Sequence, residues 1–445
     1  MVEFTACGSV KKNERNMKYR LSFQDRWIPY SILLITVSSV NAWTRLPIGN
    51  TFLWWAIYLI ILFAFYKSLK SSIAKFSQST WPILFFLFIV LVSFIYGTFI
   101  AEYYWDWKLL ITNFMVFLLP LAIFPFSSPS LLTRTLKVWL RYAPLMFLPF
   151  LLILDSEAYG RYLVPISFIL IFYPKLPFKW KFISILTILF IVVTSIDARS
   201  NVIKFIIPLI ISLLYYLKRF FSIFKVKIIL SIISVVLLFV PIVLFFLAVS
   251  NIFNVFNMKE YANISENYTQ RTSKDLDYEY SLLDDTRSFL YEEEIQSAIK
   301  NNYILFGRSM ARGYETIYFA GSYKEYQMET KRNDRPDCEV SILNVFNYFG
   351  LIGVISYALI FFVAVFKALI SSKNIYIPII GVYVAFRWLY AWVEDFNRFD
   401  LNYLFLWITI AMCFSVPFRA MNNKQFEYWI VSLFIPYSKP NISYI

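Results

Sequence analysis

Residues 218–249 read KRFFSIFKVKIILSIISVVLLFVPIVLFFLAV, a basic cluster followed by an apolar run with no charged side chain from Ile228 to Val249. At about 1.5 Å per residue, a helix over that run crosses the roughly 30 Å hydrocarbon core of a bilayer. The preceding Lys218, Arg219, Lys225 and Lys227 mark the side on which the chain is retained, because positively charged connections stay in the cytoplasm. The same unit recurs along the chain. Apolar windows of about 17 to 23 residues place spans at 27–44, 50–66, 81–100, 108–126, 138–155, 159–174, 178–195, 200–217, 227–249, 341–366, 375–391 and 400–417. The apolar segment 427–437 is too short to cross and is expected at the interface or against the bundle.

The composition agrees with this reading. Of 445 residues 59% are hydrophobic and 16% charged, and the mean hydropathy is +0.60, a balance suited to lipid and not to a soluble domain. Trp54, Trp55, Tyr103, Tyr104, Trp105, Trp107 and Trp388 fall near the ends of apolar runs, where an interfacial belt would place them. The net charge of +14 is distributed in short clusters between spans and does not gather on one face, so it sets topology and gives no reason to expect nucleic acid. With the amino terminus inside, Lys67 and Lys70, Arg134 and Lys137, Lys175 and Lys179, Lys367 and Lys373, and Arg419 and Lys424 all fall on the inner side. The opposite connections carry Glu102 and Asp106, Asp155 and Glu157, and Glu394 and Asp395.

The expected fold is therefore all-α, a polytopic membrane bundle of about twelve transmembrane helices with one large, partly helical outer loop. Its parts are a cytoplasmic tail over 1–26, spans over 27–249, the outer loop over 250–340, the last spans over 341–417, and a cytoplasmic or interfacial tail over 418–445. The loop holds 16 acidic and 11 basic residues, unlike the inner connections. Asp284 and Asp285 suit a helix start, and the spacing after them puts Tyr291, Ile295, Ala298 and Ile299 on one face, with Glu292, Glu293 and Glu294 largely off it. A loop this long that is ordered commonly carries function.

The chain contains no histidine, so the commonest general base and metal ligand are absent. Cys7, Cys338 and Cys413 are too scattered for a zinc site or a disulfide framework. Cations at or inside the outer boundary are informative, since a charge within a span costs about 2.5 to 3.5 kcal/mol. Arg199 and Lys204 in IDARSNVIK are such cations, or else a boundary arginine and a snorkelling lysine. Arg287 opens the loop helix, free to bind substrate or paired with Asp284 or Glu292. Arg308 and Arg312 in FGRSMARG sit on a glycine-bearing turn where two guanidinium groups can grip a diphosphate. Glu339, at the mouth of the 341–366 span, is a candidate base or a boundary residue. Arg387 lies inside the next span among aromatic residues, pointing into the bundle.

Over roughly 185–365 the chain resembles the O-antigen ligase and polymerase superfamily, membrane glycosyltransferases acting on undecaprenyl-diphosphate-linked glycans at the periplasmic face. TSIDARSN is similar to that family's Ser-Arg turn before a helix. TRSFLYEEEIQSAIKNNYILFGRSMARG is similar to its Arg-led helix and glycine turn, and EVSILNVFNYFGLIGVISYALI to its loop-closing helix. Ligases of the superfamily carry a His-Asn pair where this chain has Glu339 and Val340, so the resemblance points to the polymerase branch. It implies a bacterial inner-membrane enzyme that transfers a growing O-antigen, capsule or exopolysaccharide chain from undecaprenyl diphosphate to a lipid-linked repeat unit. Partners so implied are the lipid-linked oligosaccharides, a chain-length regulator and a flippase.

For that reaction Arg199, Arg287 and Arg308 are the first candidates to steady the leaving diphosphate, with Arg312, Lys204 and Arg387 behind them and Glu339 as base. No cofactor or metal is expected. The rivals are an O-antigen ligase and a lipid-linked oligosaccharide flippase. A flippase would more often show two similar halves, and none is visible here.

Overall fold

A computed structural model describes residues 23–46, 48–72, 80–156, 158–194, 199–250, 252–253, 271–272, 279–280, 287–316 and 324–435. The tail over 1–22, Asp197, and the expected helix-starting pair Asp284 and Asp285 lie outside them. The protein is mostly helical. In chain order the α-helices longer than the four-residue Ile123–Phe126 turn are α1 (Phe23–Val40), α2 (Thr51–Ser72), α3 (Trp81–Ile100), α4 (Tyr104–Phe117), α5 (Pro129–Phe150), α6 (Ala158–Tyr162), α7 (Val164–Leu170), α8 (Phe178–Thr194), α9 (Arg199–Leu213) and α10 (Ile223–Val249). After the loop strands β1 (Arg271–Thr272) and β2 (Glu279–Tyr280) come α11 (Arg287–Lys300), β3 (Tyr314–Glu315), α12 (Lys324–Thr330) and β4 (Asp334–Arg335). The chain closes with α13 (Ser341–Ile370), α14 (Tyr376–Tyr390), α15 (Leu401–Phe414), α16 (Val416–Ala420) and α17 (Asn423–Ser432).

Among the described residues, six helical segments are long and apolar enough to cross a membrane: Thr51–Leu69, Trp81–Ile100, Tyr104–Phe126, Arg199–Arg219, Ile223–Val249 and Ser341–Ile370. Helix α3 shows how one of them is built. Pro82 in its first turn needs no amide partner. Ile83, Phe86, Val90, Ser93 and Gly97 then form a stripe at helical spacing that faces the bundle, while Phe88 and Phe99 face outward.

Helices α14 and α15 are apolar but shorter than those six. Every residue of α15, within the expected last span at 400–417, is buried, so this helix is enclosed by its neighbours. The expected span 159–174 is not one helix. It divides into α6, α7 and a turn at Tyr173–Lys175, with Pro165 and Pro174 removing amide donors. Its Val164–Leu170 stretch is wholly buried, the setting in which broken helix is tolerated at membrane depth. Trp388, expected at the interface, is buried and donates to the Leu238 carbonyl (3.0 Å). Residues 427–432 belong to α17, which packs on the bundle through Phe426, Trp429 and Ile430.

The feature that positions the site is a break in α13. Gly350 adopts φ 64 and ψ −163, which interrupts the helix. The amides freed there are taken by the loop: Leu351 donates to the Ile304 carbonyl (2.9 Å) and Ile352 to that of Leu305 (3.2 Å). In return the Arg308 amide donates to the Asn347 carbonyl (2.6 Å). Gly307, at φ 76, meets the break so closely that an added Cβ would lie 2.4 Å from the Phe349 nitrogen, and one at Gly350 would lie 2.4 Å from the Leu305 carbonyl carbon. The FGRSMARG turn is thus inserted into the FGLIG break, and the pairing satisfies polar backbone that lipid could not.

Candidate functional site

Helix α11 forms where the spacing predicts a helix, but its buried face differs from the expected one. Leu290, Glu293, Glu294, Ser297 and Ala298 are buried, whereas Ile299 is exposed. The helix rests on β3 and on α13, so polar side chains with partners are accepted inward. Thr316 Oγ1 donates to Glu293 Oε2 (2.7 Å), and the Tyr303 hydroxyl donates to Ser297 Oγ (2.7 Å) and approaches Glu294 Oε1 (3.4 Å). Burial raises the Glu294 carboxyl well above the ordinary carboxylate range, outweighing the Tyr303 hydrogen bond and the nearby Arg308, which favour its charged form.

The inserted turn carries Arg308 and Arg312 to one carboxylate. Asp334, 2% exposed on β4, accepts from Arg308 Nη1 at Oδ1 (3.1 Å) and from Arg312 Nε and Nη2 at Oδ2 (3.1 and 2.9 Å). Arg308 Nη1 also donates to the Gly313 carbonyl (2.6 Å). The register of β3 on β4 places Glu315 opposite Asp334. Glu315 is held below the ordinary carboxylate range first by Lys300, whose Nζ donates to Oε2 (2.6 Å). Arg332 ties the loop to α4 through Asp106 (3.1 Å).

Two cavities meet at this guanidinium pair. One, of about 910 Å³, is a groove beside α3 with Phe85, Phe88, Val92 and Tyr96 on its wall. The other, about 440 Å³, is a polar recess lined by Glu293, Lys300, Glu315 and Thr316. Arg308 and Arg312 line both. An apolar trough, a pair of cations and a polar chamber containing a buried carboxylate follow one another.

The remaining expected residues lie elsewhere. Glu339 stands just before α13, at the mouth where the sequence places it, with its side chain 64% exposed, paired with Arg335 (3.0 Å) and lining neither of these cavities. Helix α13 begins only at Ser341, with Val340 extended before it, so position 339 remains on the preceding connection. Arg287 pairs with Glu394 (3.3 Å) and so joins α11 to the connection after α14. Arg387 is buried, donates to Asn402 Oδ1 (2.9 Å) and lies 4.5 Å over the Phe396 ring. Lys204 is buried with Nζ 3.4 Å from Asn201 Oδ1, in electrostatic contact with Arg161, Glu394, Asp400 and Arg387. Arg199 is exposed at the start of α9.

The cations expected to share one site therefore divide. Arg308 and Arg312 gather on Asp334, while Arg287, Lys204 and Arg387 surround the connection carrying Glu394 and Asp400. Sequence reasoning missed Arg161, which lies over the Trp43 ring (3.8 Å) and follows Gly160, itself packed directly against Asn201 of α9. It also missed Asp334 and Glu293, whose partners are remote in sequence. No protein-family model, curated protein or solved structure matches the chain.

Proposed function

We propose that the protein is a membrane glycosyltransferase that elongates a polysaccharide, moving a growing glycan from undecaprenyl diphosphate to a lipid-linked repeat unit at the outer face of a bacterial inner membrane. In this reading the chain crosses about twelve times, its amino terminus is cytoplasmic and the 250–340 loop faces the periplasm. The observation that carries the proposal is the position of Arg308 and Arg312, where an apolar groove meets a polar recess. An isoprenoid diphosphate sugar has the same order of parts: a greasy tail, two phosphates and a glycan.

The tail lies in the groove against α3, and Arg308 and Arg312 hold the diphosphate with the N–H groups that Asp334 leaves free. The glycan enters the recess. An acceptor hydroxyl oxygen forms a bond to the anomeric carbon while the bond from that carbon to the diphosphate oxygen breaks. The electron pair leaves with undecaprenyl diphosphate, and the guanidinium groups stabilise the charge as it develops. Glu293, buried in the recess, replaces Glu339 as the carboxylate that takes the acceptor proton. Arg287 holds the loop to the bundle through Glu394, Arg387 and Lys204 are buried within the bundle, and Arg199 is exposed at the start of α9.

The test uses the purified full chain in lipid nanodiscs with two labelled lipid-linked repeats. A ladder of longer products is expected from the wild type, reduced about a hundredfold by Arg308→Ala or Arg312→Ala, as for loss of one charge-stabilising donor. Full activity in both variants would remove the assignment. Transfer to lipid A alone would make it a ligase, and movement of the repeat across vesicle bilayers without elongation would make it a transporter.

A further inference from the structure

A third cavity, about 780 Å³, shares no lining residue with the groove or the recess. It is close to them all the same. Asn113 on its wall donates to the Met310 carbonyl on the arginine-bearing turn (3.2 Å), and Tyr326 is in electrostatic contact with Arg312 and Asp334. We propose that this cavity binds a glycan whose sugars are neutral or carry amines, and that it excludes uronic acids. Its role as the acceptor site rests on the glycan-elongating reading, whereas its capacity to bind sugar does not.

The lining pairs flat rings with hydrogen-bonding groups. Trp105 and Tyr58, both partly exposed, offer ring surface that matches the C–H faces of a pyranose, with Phe399 packed behind Tyr58. The polar side is fixed before any ligand arrives. Asp395 accepts from Arg398 Nε (3.1 Å), Asn344 Nδ2 (3.3 Å) and the Asn397 amide (2.9 Å), and Phe399 stacks on Tyr58 with centroids 4.0 Å apart. A site ordered in this way loses little freedom on binding. Tyr326 points to a ligand independently: its side chain is 3% exposed, and its hydroxyl has no hydrogen-bond partner among the described residues. A buried hydroxyl left in that state is costly, and a sugar hydroxyl would satisfy it.

Charge sets the class of sugar. Asp337, Asp395 and Glu325 line the cavity against Arg398, and Lys108 covers one face of Trp105 (4.1 Å). Among the described lining residues carboxylates still outnumber cations. A sugar carboxylate brought within about 7 Å of that excess binds more than tenfold weaker at an effective dielectric constant near 20.

Calorimetry on the full chain in detergent, titrated with maltotriose, N-acetylglucosamine trimer, glucosamine trimer and galacturonic acid trimer, tests the inference. At least one neutral or amine trimer is expected to bind, with the galacturonic acid trimer more than tenfold weaker. Trp105→Ala abolishes the binding, and Asp337→Asn combined with Glu325→Gln narrows the difference between trimers. Equal or tighter binding of the acidic trimer, binding unchanged by Trp105→Ala, or no binding by any trimer overturns it. Arg308→Ala is expected to lose elongation while keeping trimer affinity. Selective trimer binding in a wild type that never elongates leaves the sugar site standing and removes the glycosyltransfer reading. Elongation with preference for the acidic trimer removes this inference alone.

Discussion

Asp334 holds two guanidinium groups that would otherwise repel each other, and it does so from a buried position. Asp334→Ala should therefore lower stability by about 3 kcal/mol, the low end for breaking a buried pair because both arginines reach the cavities. Thermal unfolding followed by size-exclusion chromatography measures the loss, and an unchanged midpoint would contradict the pairing. Glu294 gives a pH signature. Its carboxyl is raised by burial, so the folded state holds a proton that the unfolded chain has already released above about pH 4.3. Its contribution to stability accordingly falls as pH rises from there toward the raised folded value. Glu294→Gln should flatten this part of the curve, so the variant gains on the wild type as pH rises above about 4.3, and parallel curves would contradict the burial. Arg308 and Arg312 were legible in the sequence because two arginines beside a glycine form a short, local pattern. Glu293 and Asp334 were not, since their burial depends on contacts with Thr316 and with the turn, which no local spacing reveals.

At the scale of elements, the long apolar helices α2, α3, α9, α10 and α13 lie where hydropathy places them, because twenty or so apolar residues (about 30 Å of helix) leave the backbone no alternative in lipid. The break at Gly350 was not legible. FGLIG reads as helix, and only the carbonyls of Ile304 and Leu305 make the left-handed backbone there affordable. Gly350→Ala and Gly307→Ala should each cost about 2 kcal/mol or more, from the left-handed conformation and the collision together, and should abolish activity. A folded, active Gly350→Ala protein would show that the loop does not depend on the break. Hydropathy also could not distinguish α15 from a lipid-facing span, since an apolar segment reads alike whether hydrocarbon or protein surrounds it.

For the whole molecule, the orientation read from lysines and arginines makes a direct prediction. A cysteine at Ile299, exposed on α11, should react with an impermeant maleimide added outside intact cells, while one at Lys179, also exposed, should react only after the membrane is opened. The native thiols of Cys338 and Cys413 are buried and should stay silent. The reverse pattern would invert the bundle and place the site on the cytoplasmic side. The interlock between residues 303–308 and the interrupted helix at 347–352 also carries a consequence for biogenesis. The first partner leaves the ribosome before the second has been made, so during synthesis the turn must wait at the membrane surface with its carbonyls wetted by water. Translation arrested short of residue 352 should then yield an inserted but protease-sensitive polypeptide, and release of the remaining length should confer resistance.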